Sequence, residues 1–425
     1  MTGIDAVVHD AAELVVGPAR AIGGSTPSDR GGILDVRSNA AVAVVDGEVA
    51  AVGPTEEVTR EYPPENADHA IDASGRAVVP GLVDPHTHAV FAGDRSDEFE
   101  AKIEGKSYRE IAAEGGGILR TVRTTREATD GDLLSNLLGH LDTMLAHGST
   151  TVEVKSGYGL DTETELRLLE VIDRADEKHP IDLHATFMGA HSTPEGMDTD
   201  GYVDRVVSEQ LPAVAEQGVA RFCDVFCEAG VFSVEQSRRV LEAGLNHGLD
   251  PKIHAEEFER VGGAQLAAAL GATSADHLLR ATVTDIDALV ESEVVPVMLP
   301  GTAFVLGEEY ADARAFLDRG APVALATDFN PNCFSRSVPF AVSLACVGMR
   351  MTPAEALSAA TANAARALDL DDGTGTLREG VPADLLVLDA PSYRHLPYRV
   401  GENPVSVVVK EGRPVVEGRQ YVMTS

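Results

Sequence analysis

Residues 77–88 read AVVPGLVDPHTH. The apolar residues of 77–86 are expected to form one strand, ending in His86 with His88 just beyond. Side chains two residues apart on an extended chain share a face, so the two imidazoles would project together.

Seven further runs of this kind follow: STTVEVK (149–155), IDLHATF (181–187), RFCDVF (221–226), PKIHA (251–255), ATSADH (272–277), VVPVML (294–299) and PVALATD (322–328). Helical patterns lie between them. DLLSNLLGHLDTMLAH (132–147) and TETELRLLEVIDRADEK (162–178) repeat apolar residues at i, i+3 and i+4; 233–248, 261–270, 283–292 and 310–320 are similar. Eight strands alternating with helices predict an α/β fold, a (β/α)8 TIM-type barrel. Side chains at the strand C-termini would then meet at one mouth, where barrel active sites lie.

Both chain ends have a different texture. AAELVV (11–16), AVAVVDGEVAAVG (41–53), ADLLVLD (383–389) and SVVVKEGRPVVEG (406–418) are short β-type runs, and Asp46-Gly47 is a hairpin signal. Residues 21–33 read as a loop. The expected division is a composite, β-sandwich-like domain from 1–79 and 376–425, bracketing a barrel over 80–375.

The 425 residues carry 68 acidic against 34 Lys and Arg, a net charge of −34, and only six of the cations are lysine. The acid is spread along the whole chain. Such a surface repels itself in dilute solution and is screened at high salt, which points to a salt-rich cytoplasm. It argues against nucleic acid or anionic membranes as partners. No apolar stretch is long enough to span a bilayer, and the acidic N-terminus does not read as a signal peptide. Cys223, Cys227, Cys333 and Cys346 are expected as buried thiols, not as a disulfide framework.

More metal-capable groups end other strands: His254 the fifth, His277 the sixth and Asp328 the eighth. Neutral imidazoles and a carboxylate suit Zn²⁺ or Fe²⁺. Each also has a plainer explanation. His254 could be a satisfied core histidine, His277 could close a hydrogen-bond network with Asp276, and Asp328 could cap a helix.

The HxH pair with His254, His277 and Asp328 resembles the pattern of the amidohydrolase superfamily. The segments PGLVDPHTHAVFAGDR (80–95), EVKSGYG (153–159), FMGAH (187–191), KIHAEE (252–257) and TDFNP (327–331) resemble the imidazolonepropionase family. The resemblance spans essentially the whole chain. It implies hydrolysis of 4-imidazolone-5-propanoate to N-formimidoyl-L-glutamate with one Zn²⁺ or iron ion per chain. The implied metal ligands are His86, His88, His254 and Asp328. The implied substrate contacts are Arg95, Tyr158, His191, Glu257 and Asn330, with Tyr108 a further group near the carboxylate. The turn after Asn330 also contacts substrate in the family, which implies Asn332 and Cys333 as contacts here, where the family usually has Gly then Ser or Thr. A homodimer is implied by the same analogy.

The chemistry agrees. A ring amide is a poor electrophile, and a metal ion both polarises a carbonyl and activates water. Asp328 could take the water's proton, Glu257 could orient the water or protonate the leaving nitrogen, and His277 could stabilise the oxyanion. Arg95 suits a propanoate, since its fork pairs a carboxylate bidentately. Two-metal amidohydrolases carry a bridging lysine at the end of strand four. Here that strand runs into Asp224-Val-Phe-Cys-Glu228, so one metal is expected. The glycine-rich segment 114–120 lacks a phosphate-loop ending and could help cover the site. The competing functions are another amidohydrolase, such as a nucleobase deaminase or cyclic-amide hydrolase, and an inactive binding scaffold.

Overall fold

The computed structural model describes residues 3–19, 33–106, 110–111, 114–418 and 420–421. The loop read at 21–33 therefore lies outside the described residues, apart from Ile33, and so does Tyr108.

The first nine-stranded sheet takes β1 (Ile4–Pro18), β2 (Leu34–Val45), β3 (Glu48–Pro54), β4 (Ala67–Asp72) and β5 (Ala77–Pro80) from the N-terminal part. The barrel follows: β6 (Leu82–Asp84), β7 (Ser149–Lys155), β8 (Asp182–Ala190), β9 (Phe222–Cys227), β10 (Asp250–Ala255), β11 (Ser274–His277), β12 (Val295–Met298) and β13 (Ala324–Leu325). The C-terminal part returns β14 (Leu385–Leu388), β15 (Val405–Lys410), β16 (Arg413–Glu417) and β17 (Gln420–Tyr421) to the first sheet.

The run 77–86 is not one strand. It divides at Gly81 into β5, which lies between β1 and β14, and β6, which opens the barrel. A Cβ at Gly81 would lie 2.2 Å from Thr150 Oγ1, so only glycine lets the chain cross so close to β7.

The barrel strands are parallel and stand in sequence order from β6 to β13. Every residue of β7 is buried, as expected of a strand covered on both faces. Closure between first and last strands comes from a parallel bridge, Thr87 to Phe329, and from Asp84. The Asp84 carboxylate accepts the Thr327 N–H at 3.0 Å and hydroxyl at 2.7 Å. The last strand is shorter than the run 322–328, because the chain turns into the mouth with Asp328 at φ 52°.

The surrounding helices begin on side-chain caps. Thr129 and Asp132 form a capping box for Asp130–Ala146, Asp161 caps Thr162–Asp176, and Ser233 with Gln236 caps Val234–Asn246. The helix expected over 310–320 is confined to Ala313–Leu317.

The terminal sheet rolls over one apolar cluster. Val8, Leu14, Val42, Val49, Val78, Leu385 and Val409 all contribute, from strands at both flanks of the sheet. Asp46 and Gly47 both have positive φ, the type I′ geometry that their hairpin requires. Lys410 ties this sheet to the barrel, with Nζ 2.6 Å from Asp182 Oδ2 and 2.7 Å from Asp384 Oδ2. Among the described residues, no helix is long and apolar enough to cross a membrane.

Candidate active site

A cavity of about 690 Å³ opens at the C-terminal mouth of the barrel. His88, His254, His277 and Asp328 line it from the strand ends. Arg95, Tyr158, His191, Glu257, Asn330 and Asn332 line it from the loops beyond. Two of the residues singled out in the sequence do not line it. His86 lies beneath the floor, fully buried. Cys333 packs behind the floor, with Sγ 3.7 Å from the Thr327 carbonyl oxygen.

His86, His88 and His254 offer ring nitrogens within 4.8 Å of one another. Asp328 Oδ1 lies 3.6 Å from His86 Nε2 and 3.8 Å from His88 Nε2. His254 Nε2 and His88 Nε2 are 3.3 Å apart. The donors fit a metal ion for a further reason. His86 Nδ1 donates to Asp276 Oδ2 at 2.6 Å, which leaves Nε2 as a bare lone pair, buried and without a hydrogen-bond partner. His254 Nδ1 is held the same way by Asp224, at 3.1 Å. A carboxylate behind a histidine is the usual outer shell of a ligated imidazole.

Beneath this pair lies a buried charge cluster. Lys155 Nζ is 2.8 Å from both Glu153 Oε2 and Asp224 Oδ2, and 3.8 Å from Asp276 Oδ2. Lys252 Nζ is 2.9 Å from Glu153 Oε1. Burial alone would lower the Lys155 pKa, but the three carboxylates raise it above the ordinary lysine value. Burial and the Lys155 ammonium push His86 far below the usual histidine range, and burial with neighbouring imidazoles does the same to His88. Both rings are therefore neutral, the form that binds a metal.

Asp328 is fixed on both oxygens. Asn330 Nδ2 donates to Oδ1 at 2.8 Å and the Thr302 hydroxyl donates to Oδ2. The Asn330 amide oxygen in turn accepts the Asn332 and Cys333 N–H groups, at 2.8 and 2.9 Å. Thus Cys333 shapes this turn through its backbone. Glu256, His277 and Asp328 all have positive φ just where strands five, six and eight end. Left-handed backbone at bulky residues is strained; here it accompanies His277 and Asp328 in the mouth, while the Glu256 carboxylate accepts the Val261, Gly262 and Ala264 N–H groups.

Glu257 is buried with its Oε2 3.7 Å from His277 Nε2. Burial, then the charges of Asp328 and Glu228, raise its pKa well above the usual carboxylate value. Glu228 pins the backbone beside it, its carboxylate accepting the N–H groups of Phe258 at 2.9 Å and Glu259 at 3.1 Å. His191 stacks on His88 at 4.8 Å and gives its Nδ1 hydrogen to the Gly157 carbonyl at 3.0 Å. Burial lowers its pKa to about 3. Tyr158 rests against His88 and His191. Asp224, Asp276, Lys155, Thr302 and Glu228 were not among the expected site residues; Asp276 entered only as a neighbour of His277.

Comparison with known proteins agrees with this geometry. A model described as amidohydrolase family matches residues 237–415, and one described as imidazolonepropionase-like composite domain, bacteria, matches 40–64. The chain is similar to the imidazolonepropionase of Haloarcula marismortui, at 67% identity over 98% of this chain and 97% of that one. The enzyme of the same name from Halobacterium salinarum is 62% identical over 98% and 99%. The fold is similar to a zinc-bound adenosine deaminase from Xanthomonas campestris, with a TM-score of 0.74 at 18% identity, covering 100% of this chain and 95% of that one. With two thirds of its residues shared with a relative along nearly its whole length, and with the superfamily's histidines gathered at the barrel mouth, the chain belongs to the imidazolonepropionase family of the amidohydrolases.

Proposed function

We propose that the chain hydrolyses the ring amide of 4-imidazolone-5-propanoate to N-formimidoyl-L-glutamate, a step of histidine degradation. One observation carries the reading: His88, His254 and His277 share a single cavity with the bare guanidinium edge of Arg95. A hydrolytic centre and a carboxylate grip in one chamber suit a small cyclic amide bearing an acid side chain.

His86, His88, His254 and Asp328 would hold one Zn²⁺ or iron ion. Such an ion supplies Lewis acidity and lowers the pKa of water to about 7. Asp328, held by Thr302 and Asn330, accepts the proton of the attacking water. Burial and the nearby carboxylates raise the Glu257 pKa, which suits it to give a proton to the ring nitrogen as the C–N bond breaks. His277, beside Glu257, steadies the charge that develops on the carbonyl oxygen. Arg95 takes the propanoate, while Tyr158, His191, Asn330 and Asn332 shape the rest of the pocket. Family resemblance supports a homodimer, and the acid excess supports a salt-rich cytoplasm as its setting.

The test is hydrolysis of freshly generated imidazolone propanoate in concentrated KCl, followed by its ultraviolet absorbance, with metal measured on the same preparation. Turnover abolished by a chelator, with about one metal per chain, is the expected result. A folded, metal-loaded protein that leaves the substrate intact would overturn the substrate assignment.

A further inference from the structure

Arg95 and Glu98 are both buried, 7% and 4% exposed, at the start of the helix Ser96–Ile103. Glu98 Oε2 accepts the Arg95 Nε–H at 2.7 Å. Its other oxygen accepts the Gly117 N–H at 2.9 Å. Because Glu98 uses only Nε, the outer edge of the guanidinium stays uncommitted. Arg95 Nη2 is buried without a hydrogen-bond partner, and Arg95 lines the cavity. A Cβ at Gly116 would lie 2.8 Å from Glu98 Oε1, so the turn reaches the carboxylate only because that residue is glycine.

The local charge balance is also informative. Lys102 is half-buried, feels the charges of Arg95 and Glu98, and donates to Asn332 Oδ1 in the cavity wall. Arg120, 3.6 Å from Glu98 Oε1, is bound to Asp97. With Arg120 matched by Asp97, Arg95 and Lys102 face Glu98 and leave one positive charge in this group for the ligand to neutralise.

We propose that Glu98 is a positioning residue that selects monocarboxylate substrates. It holds Arg95 with its free edge towards the cavity and closes the Gly115–Gly117 turn beside it. This rests on the reading that Arg95 grips the propanoate, and it names the residue that makes the grip specific. An arginine without this partner would swing among rotamers and lose its fixed fork. Buried beside no anion, it would also be costly.

The probes are 3-(imidazol-4-yl)propanoate and its primary amide, titrated calorimetrically into the metal-loaded full chain in concentrated KCl. The wild type should prefer the acid by about tenfold or more, and Glu98→Gln should erase most of that preference. General loss of structure would weaken both probes alike and leave the ratio in place. If Glu98→Gln does not fold, Gly116→Ala, which crowds Glu98 from the turn, should narrow the ratio instead. An unchanged ratio in whichever variant folds overturns the proposal, as does a wild type indifferent to acid or amide. A wild type that discriminates, with the loss in the variant, but that does not turn over imidazolone propanoate would support Glu98 and sink only the proposed reaction.

Discussion

Asp276 Oδ2 lies 2.6 Å from His86 Nδ1, and both side chains are fully buried. Asp276 Oδ1 accepts the Ser274 hydroxyl at 2.6 Å, so the carboxylate cannot turn away. Replacing Asp276 by Asn keeps the shape but offers the ring an amide in place of an anion. Metal affinity should fall by about 10–100-fold, the usual result when a carboxylate behind a ligating histidine is lost. Competition with a chelator dye reads this directly; unchanged affinity would remove Asp276 from the metal shell.

Glu257→Gln should retain the metal and lower kcat by about 10²–10⁴-fold, because the amide cannot pass a proton to the leaving nitrogen. Metal content and steady-state rates on one preparation decide it. A variant with normal kcat would leave Glu257 a binding group only.

His179 gives a pH signature in stability. Its Nδ1 accepts the Ile181 N–H at 3.2 Å, and burial lowers its pKa to about 4. In the unfolded chain the group takes its proton near pH 6.5. Between about 6.5 and 4 the unfolded state therefore binds a proton that the folded state refuses, and stability falls with falling pH. His179→Gln should escape this fall, worth about 1–3 kcal/mol to the wild type across the window. Parallel denaturant curves at pH 7 and pH 4.5 test it; identical pH dependence in both proteins would contradict it.

The charge of −34 should make stability depend on salt. Screening lengths shrink from about 10 Å at 0.1 M to about 3 Å at 1 M, which quiets repulsion between surface carboxylates. The thermal midpoint should rise between dilute and molar KCl. A midpoint no lower in dilute buffer would end the salt-adaptation reading.

Much of the site could be read from the chain because a parallel barrel brings strand ends together. Once eight alternating runs are recognised, His88, His254, His277 and Asp328 must share a mouth. His86 was placed in the metal shell by its two-residue spacing, and the structure puts it under the floor with its lone pair bare. The outer shell was not legible. Asp224 and Asp276 sit in apolar runs like any strand acid, and only the packing of β7, β9 and β11 around Lys155 shows what they face. Lys155, the last residue of the second barrel run, emerges as the counter-ion of that shell. The division at Gly81 was hidden because residues on either side are equally apolar, and periodicity does not report a change of sheet. Asn332-Cys333 keeps the turn through backbone N–H groups that any residue but proline supplies.

The crossing at Gly81 also sets a schedule for biosynthesis. His86 stands only six residues beyond β5, whose Val78, Val79 and Pro80 pair with Val387, Leu386 and Leu385 of its neighbour β14. On the ribosome, the N-terminal stretch that carries His86 and His88, the first two proposed ligands, emerges long before that neighbour exists. The last proposed ligand, Asp328, and then the closing strand arrive with most of the chain already translated. A nascent chain stalled before residue 385 would carry every proposed metal ligand and still lack the strand that anchors the first two. Completion of the proposed metal site thus waits on a strand that lies more than fifty residues beyond its last proposed ligand.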